Sequence, residues 1–243
     1  MREELEGMWH ILLKDLKAYY FKPPNISWGI LFPLVLALAF TLRNPEGLAD
    51  MAPGLVAMAA LFGTTSMEAI VITFEKRIGA LERLMLAPVS LTTILLGKVL
   101  GGAVFGMVIA GVMTLISLLF LNMIIIHSFL FILVLILTVL AHSALGALVA
   151  VSVKEVFEAQ TLSNYFRFPM VFLCGVFLPV EAMPPPIQVL AHFFPLTYTI
   201  HAFRQALAGS FILGLLLRDL VALVLFLTAF LILATKLLKR SLK

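Results

Sequence analysis

FEKRIGALERLMLAPVSLTTILLGK, residues 74–98, is the most charged stretch inside an otherwise apolar chain, and the rest of the sequence is read outward from it. Helical spacing puts Phe74, Ile78, Leu81 and Met85 on one stripe, with Glu75, Lys76, Gly79, Glu82 and Arg83 opposite. That pattern predicts a short amphipathic helix lying along a surface. Pro88 disfavours the helical region for Ala87 before it, and Ser90 is placed to cap a new helix. The segment therefore predicts a surface helix joined by a stiff corner to a membrane span.

Of the 243 residues, 62% are hydrophobic and 12% charged, and the mean hydropathy is +1.12, values outside the range of soluble domains. The expected class is an all-α integral membrane protein forming one transmembrane domain over 1–243, without room for an additional soluble domain. The net charge of +4 is spread over segment ends and forms no basic face with interleaved aromatics, so no nucleic-acid partner is expected. Cys174 is the only cysteine, which excludes an internal disulfide. Arg2, Glu3, Glu4 and Glu6 interrupt the start of the chain, so no cleavable leader is expected.

In chain order, residues 5–20 predict an interfacial helix, with Leu5, Met8, Trp9, Leu12, Leu16, Tyr19 and Tyr20 on one face and His10, Lys14 and Lys17 on the other. Pro23 and Pro24 end it. Six spans are expected, over about 26–42, 54–73, 92–121, 128–151, 161–178 and 220–235, with a polar turn at 43–47. Prolines at 179, 184, 185, 186 and 195 forbid one continuous helix through 179–214. With both termini cytoplasmic, only Arg43, Arg204 and Arg218 of the seventeen Lys and Arg residues fall outside, a strong positive-inside bias. The 74–91 loop then faces the cytoplasm. The 179–214 segment faces the exterior, where Ile187, Leu190, Phe193, Phe194, Tyr198 and Phe203 predict a lid dipping into the outer leaflet rather than an ordinary interfacial loop. No internal repeat supports an inverted-repeat secondary transporter.

Several smaller patterns carry chemistry. Gly97/Gly101 and Gly102/Gly106 permit close helix contact, expected within the chain in preference to a dimer seam or moving contact. Glu68, near Thr64, Thr65 and Ser66, is an ionisable group at membrane depth. It either lines a substrate entrance or pairs with Arg167. His142 and Ser143 lack an acid and a G-x-S-x-G context, so a satisfied interior histidine is expected instead of a catalytic pair. No histidine spacing matches a metal motif. Gly97-Lys98 is not the end of a phosphate loop, because Thr92 and Val99 stand where glycine and Ser or Thr are required.

Three places together resemble the six-span permease subunits of the type-2 ABC exporter family, which includes drug-export and polysaccharide-export permeases. They are Glu75-Lys76-Arg77 with Gly79 to Leu84 running through Ala87-Pro88-Val89-Ser90 to Leu96-Gly97-Lys98; Gly175 to Pro179; and Phe194 to Tyr198 continuing to Ala202-Phe203-Arg204. Gly79-Ala80-Leu81-Glu82 departs mildly from the Gly-Thr-Leu-Glu of many relatives. The resemblance implies that residues 1–25 form a connecting helix and 74–91 a coupling loop docking on a separate ABC ATPase, through Phe74, Glu75, Lys76, Arg77, Gly79, Glu82, Arg83 and Pro88. It implies a second permease copy in a two-plus-two assembly, and no cofactor in this chain, ATP and Mg being bound by the partner ATPase. Spans two and five would line the path, making Thr64, Glu68, Asn164, Phe168 and Phe172 lining candidates. Short re-entrant helices between spans five and six would gate it, with Pro179, Pro195, Tyr198 and Arg204 at the outer gate. The implied function is ATP-driven multidrug or lipid-like export through the cytoplasmic membrane, in contact with membrane lipids. A polysaccharide or glycolipid export permease and a gradient-driven secondary transporter are the alternatives.

Overall fold

The computed structural model describes residues 2–21, 30–36, 38–39 and 48–241, and among these residues no strand occurs. α1 (Arg2–Asp15) passes into a π-helical turn, Leu16–Tyr20. The long helices follow: α2 (Leu48–Arg77), α4 (Leu91–Phe120), α5 (Ser128–Ser152) and α9 (Leu213–Ser241), with α3 (Ala80–Leu84) in the corner between α2 and α4. α6 (Val156–Leu173), a 3-10 turn at Val180–Ala182, α7 (Pro185–Ala191) and α8 (Pro195–Leu207) separate α5 from α9.

Among the described residues four helices, Asp50–Arg77, Leu91–Phe120, Ser128–Ser152 and Leu213–Arg240, are long and apolar enough to cross a membrane. The predicted first span and the 43–47 turn lie largely outside the described residues; residues 30–36 and 38–39 are helical. The predicted fifth span, 161–178, is displaced toward the N-terminus, its helix of 18 residues running from Val156 to Leu173. α6 ends at Leu173, because Gly175 takes a φ of 94° and the chain then runs toward Pro179 without helix. The predicted sixth span is longer, beginning at Leu213 and so drawing Arg218 and Asp219 into a helix.

α2 is the central helix, packed against α4, α5, α6 and α8. The main core gathers Leu55, Met58, Phe105, Ile109, Val134 and Phe203. A second cluster, including Ile11, Ile72, Leu81, Ile94, Leu95 and Leu238, sits at the end of α2 where the charged corner lies. The glycines of α4 explain how the helices approach so closely. A Cβ on Gly97 would stand 3.0 Å from the Met8 carbonyl oxygen and 3.2 Å from Ile11, so this side of α4 receives α1. Gly102 and Gly106 instead receive Glu68, Ser143 and Thr64 from α2 and α5. Both glycine pairs therefore serve packing within the chain, as expected from their spacing.

The inward face of α1 differs from the predicted one. Ile11, Leu12, Asp15 and Tyr20 are buried, whereas Leu5 and Trp9 are exposed. The π-turn adds a residue to its coil, closed by Phe21 N–H donating to the Leu16 carbonyl at 3.5 Å, and it swings Tyr20 inward.

Candidate functional site

The corner at 74–98 is built differently from the single amphipathic helix its sequence predicts. α2 continues to Arg77, and Gly79 then adopts a left-handed conformation (φ 69°) that an L side chain takes only under strain. The helical wheel does not carry across that break. Leu81 turns inward to the second core cluster, while Ile78 is exposed. α3 is only five residues long. Pro88 and its neighbours lead to Ser90, whose hydroxyl accepts from the Thr93 backbone N–H at 3.1 Å and caps α4. The cap behaves as predicted.

Of the expected docking residues, Phe74, Arg77, Glu82, Arg83 and Pro88 are exposed, together with Ile78 and Leu86, the latter 86% exposed. Arg77 also reaches Glu155 at 3.4 Å. Glu75 is a correction: it is fully buried, because it lies on α2 one turn before the Gly79 break, facing α1 and α4. Lys76 is half-buried and donates to the Val153 carbonyl at 3.2 Å.

Behind this exposed ledge lies a cluster of four charges. Lys98 of α4 binds Glu75 and, at 3.1 Å, Asp15; Lys14 binds Glu75 and, at 2.9 Å, Asp15. Two ammonium groups and two carboxylates balance, with Asp15, Glu75 and Lys98 removed from solvent. Such a set is tolerated only when the charges compensate one another. Burial pushes the Asp15 carboxyl above its ordinary value, with Lys98 pulling the other way. Burial opposes the charge on Lys14, yet its hydrogen bond to Glu75 and the charge of Asp15 hold its ammonium above the ordinary value. α1 is fastened a second time at its start, where Glu4 accepts from the Ser90 N–H at 3.1 Å. Asp15 escaped the sequence reading; the available signal was an acid in register with the apolar positions Met8, Ile11 and Leu12.

Glu68 neither lines an opening nor pairs with Arg167. It is fully buried within the protomer, accepts from the Tyr20 hydroxyl and lies against Gly102. Thr64 is likewise internal and donates back to the Ala60 carbonyl at 2.8 Å. As lining candidates these two are corrected, since α2 is enclosed by its neighbours. Asn164 is half-exposed, and Phe168 and Phe172 open onto the surface of α6. Arg167 donates to Asn164 and lies over the Phe62 ring at 4.4 Å. The His142 ring meets the Thr138 carbonyl at 2.8 Å through Nδ1, and Ser143 donates to the Val99 carbonyl at 2.8 Å, so they form no nucleophile pair.

At the other end of α2, Gly54 packs against Val176, beside the turn that leads to α7 and α8. Arg204 donates to the Gly175 carbonyl at 2.8 Å, and Tyr198 to the His192 carbonyl at 3.0 Å. Pro195 opens α8, and Pro179 precedes the 3-10 turn. Buried Asp219 binds His201 and, at 2.9 Å, Arg218. Tyr198, His201, Arg204 and Asp219 border a cavity of about 30 Å³. Asp219 was missed because the predicted helix began one residue after it.

A long-helix membrane bundle with a charged corner and a proline-broken far end matches, over residues 6–208, the family model described as ABC-2 type transporter. The chain belongs to the ABC-2 type transporter family. The inner membrane transport permease YadH of Escherichia coli K12 is 31% identical over 190 residues, covering 78% of this chain and 73% of that permease. The Shigella flexneri permease of the same name gives the same identity and coverage. This ABC-2 chain is a multi-pass permease subunit of the cytoplasmic membrane, a transport protein and not an enzyme.

Proposed function

We propose that this ABC-2 permease is the membrane half of an ATP-driven exporter of lipophilic or amphipathic molecules. It carries six spans, has both termini in the cytoplasm and works as a pair of permeases with two separate ATPases that hold ATP and Mg. The observation carrying this reading is the exposed ledge Arg77, Ile78, Glu82, Arg83 and Leu86, braced from behind by buried Asp15, Glu75 and Lys98 with half-exposed Lys14. A mixed charged and apolar ledge on an immobile base can receive a push from a docked subunit and pass it to α2, α4 and α1 together. Asn164, Phe168 and Phe172 on α6 border the path between the two permeases, and Pro179, Pro195, Tyr198 and Arg204 belong to the outer gate.

The test is retention of an ABC-type ATPase on the purified permease. Reversing two of the three ledge charges, Glu82→Lys with Arg83→Glu, lowers retention at least tenfold while leaving the permease's own melting unchanged. Full retention by that variant, or undiminished transport by this chain alone in vesicles without ATP, overturns the reading.

A further inference from the structure

Arg167 is the one cation of α6, and at the helical rise it lies about 16 Å from the start of that helix. Its residue surface is 3% exposed. Among the described residues no carboxylate lies within ion-pair distance of it, and the acid once expected beside it, Glu68, is turned away to Tyr20. The guanidinium has two compensations. One is the hydrogen bond to the neutral Asn164 amide oxygen, and the other is the Phe62 face at 4.4 Å. Nε has no acceptor.

The Phe62 ring that covers this cation belongs to a cluster of three. Phe32 and Phe62 have centroids 4.5 Å apart, and Phe168 stands edge-on to each at 6.3 Å. Phe168 is itself exposed, as are Tyr165 and Phe172 on the same helix. An enclosed guanidinium with a free donor thus lies one ring from an apolar, aromatic surface. A charge held in apolar surroundings without a counter-charge is costly, and membrane proteins keep such groups where a partner or water reaches them. An acidic oxygen would supply both the missing acceptor and the missing charge, and guanidinium suits carboxylate and phosphate better than any other cationic side chain.

We propose that Arg167 binds the anionic headgroup, carboxylate or phosphate, of a single-chain or two-chain amphiphile whose apolar part lies along Phe168 and Phe172. This rests on the reading of α6 as bordering the path. The headgroup has two sources, a resident acidic phospholipid or the exported amphiphile itself.

The experiment measures equilibrium binding to the full chain in phosphatidylcholine nanodiscs, using dodecyl phosphate, uncharged monolaurin and dodecyltrimethylammonium. Dodecyl phosphate is expected to bind at least tenfold more tightly than the other two. Arg167→Gln removes that preference and leaves monolaurin binding unchanged, whereas Arg167→Lys keeps part of it. If Arg167→Gln does not fold, Asn164→Asp serves instead, because a fixed carboxylate beside the guanidinium replaces the ligand's charge and abolishes the preference. Equal affinities for the three probes, or a preference that survives Arg167→Gln or Asn164→Asp, overturns the proposal. Nanodiscs containing phosphatidylglycerol separate the sources. Stoichiometric competition by that lipid identifies a lipid headgroup as the occupant, and an undiminished dodecyl phosphate preference excludes the resident lipid and leaves the transported amphiphile as the source. Binding is read without any ATPase, so this proposal and the docking of the ATPase fail independently.

Discussion

The two charge clusters at opposite ends of α2 are assembled from different distances in sequence. At the corner, Lys14 meets Glu75 across 61 residues, and Lys98 meets Asp15 across 83. At the far end, His201 meets Asp219 across only 18, and Gln205 meets it across 14. At the corner Asp15, Glu75 and Lys98 are enclosed and Lys14 keeps 39% of its side chain in contact with solvent, while at the far end Asp219 is enclosed and both its cations reach water, His201 at 29% and Arg218 at 49%. The first cluster exists only when α1, α2 and α4 are all in place, so it joins them into one body. The second staples α8 to α9, two helices adjacent in sequence.

The largest expected effect breaks the corner cluster. Lys98→Met leaves two buried carboxylates facing only Lys14, and removing one partner of a buried set typically costs about 3–5 kcal/mol. A thermal melt in detergent should fall steeply, and a melt within one degree of wild type would deny the cluster its structural role. Asp219→Asn sharpens the contrast. Its partners reach water, so the expected loss is about 1–2 kcal/mol, and hydrogen exchange should rise in α8 and the start of α9 while α1 stays protected. Equal losses from the two substitutions would erase the distinction between the ends.

The smallest effect concerns Glu4, whose carboxylate is held below its ordinary value of 4.5 first by the Thr93 hydroxyl and then by the Ser90 backbone N–H. A depressed carboxylate stabilises the folded arrangement above its unfolded pKa, and that contribution disappears as pH falls through the lower folded value. Exchange of the Ser90 amide should therefore accelerate on acidification below pH 4.5. In Glu4→Gln the acceleration should be absent.

The long helices were legible from sequence because apolar runs of span length leave few alternatives. α5 was placed within a residue of its observed ends, and α4 was bounded by the Ser90 cap. The glycine spacing also announced its use. What escaped was direction. Glu75 was assigned to the outer face because a wheel drawn from Phe74 to Met85 assumes one helix, and Gly79 breaks it. Glu68 and Arg167 were candidates for each other because both are ionisable at membrane depth, but periodicity says nothing about which neighbour a helix face meets. Tyr20 reaches Glu68 only through the π-turn, which no propensity announces.

That π-turn also separates the two fastenings of α1. Lys14 and Asp15 lie before it, and Tyr20 lies at its end. Rewinding Leu16–Tyr20 as ordinary α-helix with every residue kept would turn everything after it by about 100°. The ion cluster would keep its register while a different side chain arrived opposite Glu68. The winding of that one turn thus selects the partner of the buried acid Glu68 without touching the charges behind the exposed ledge.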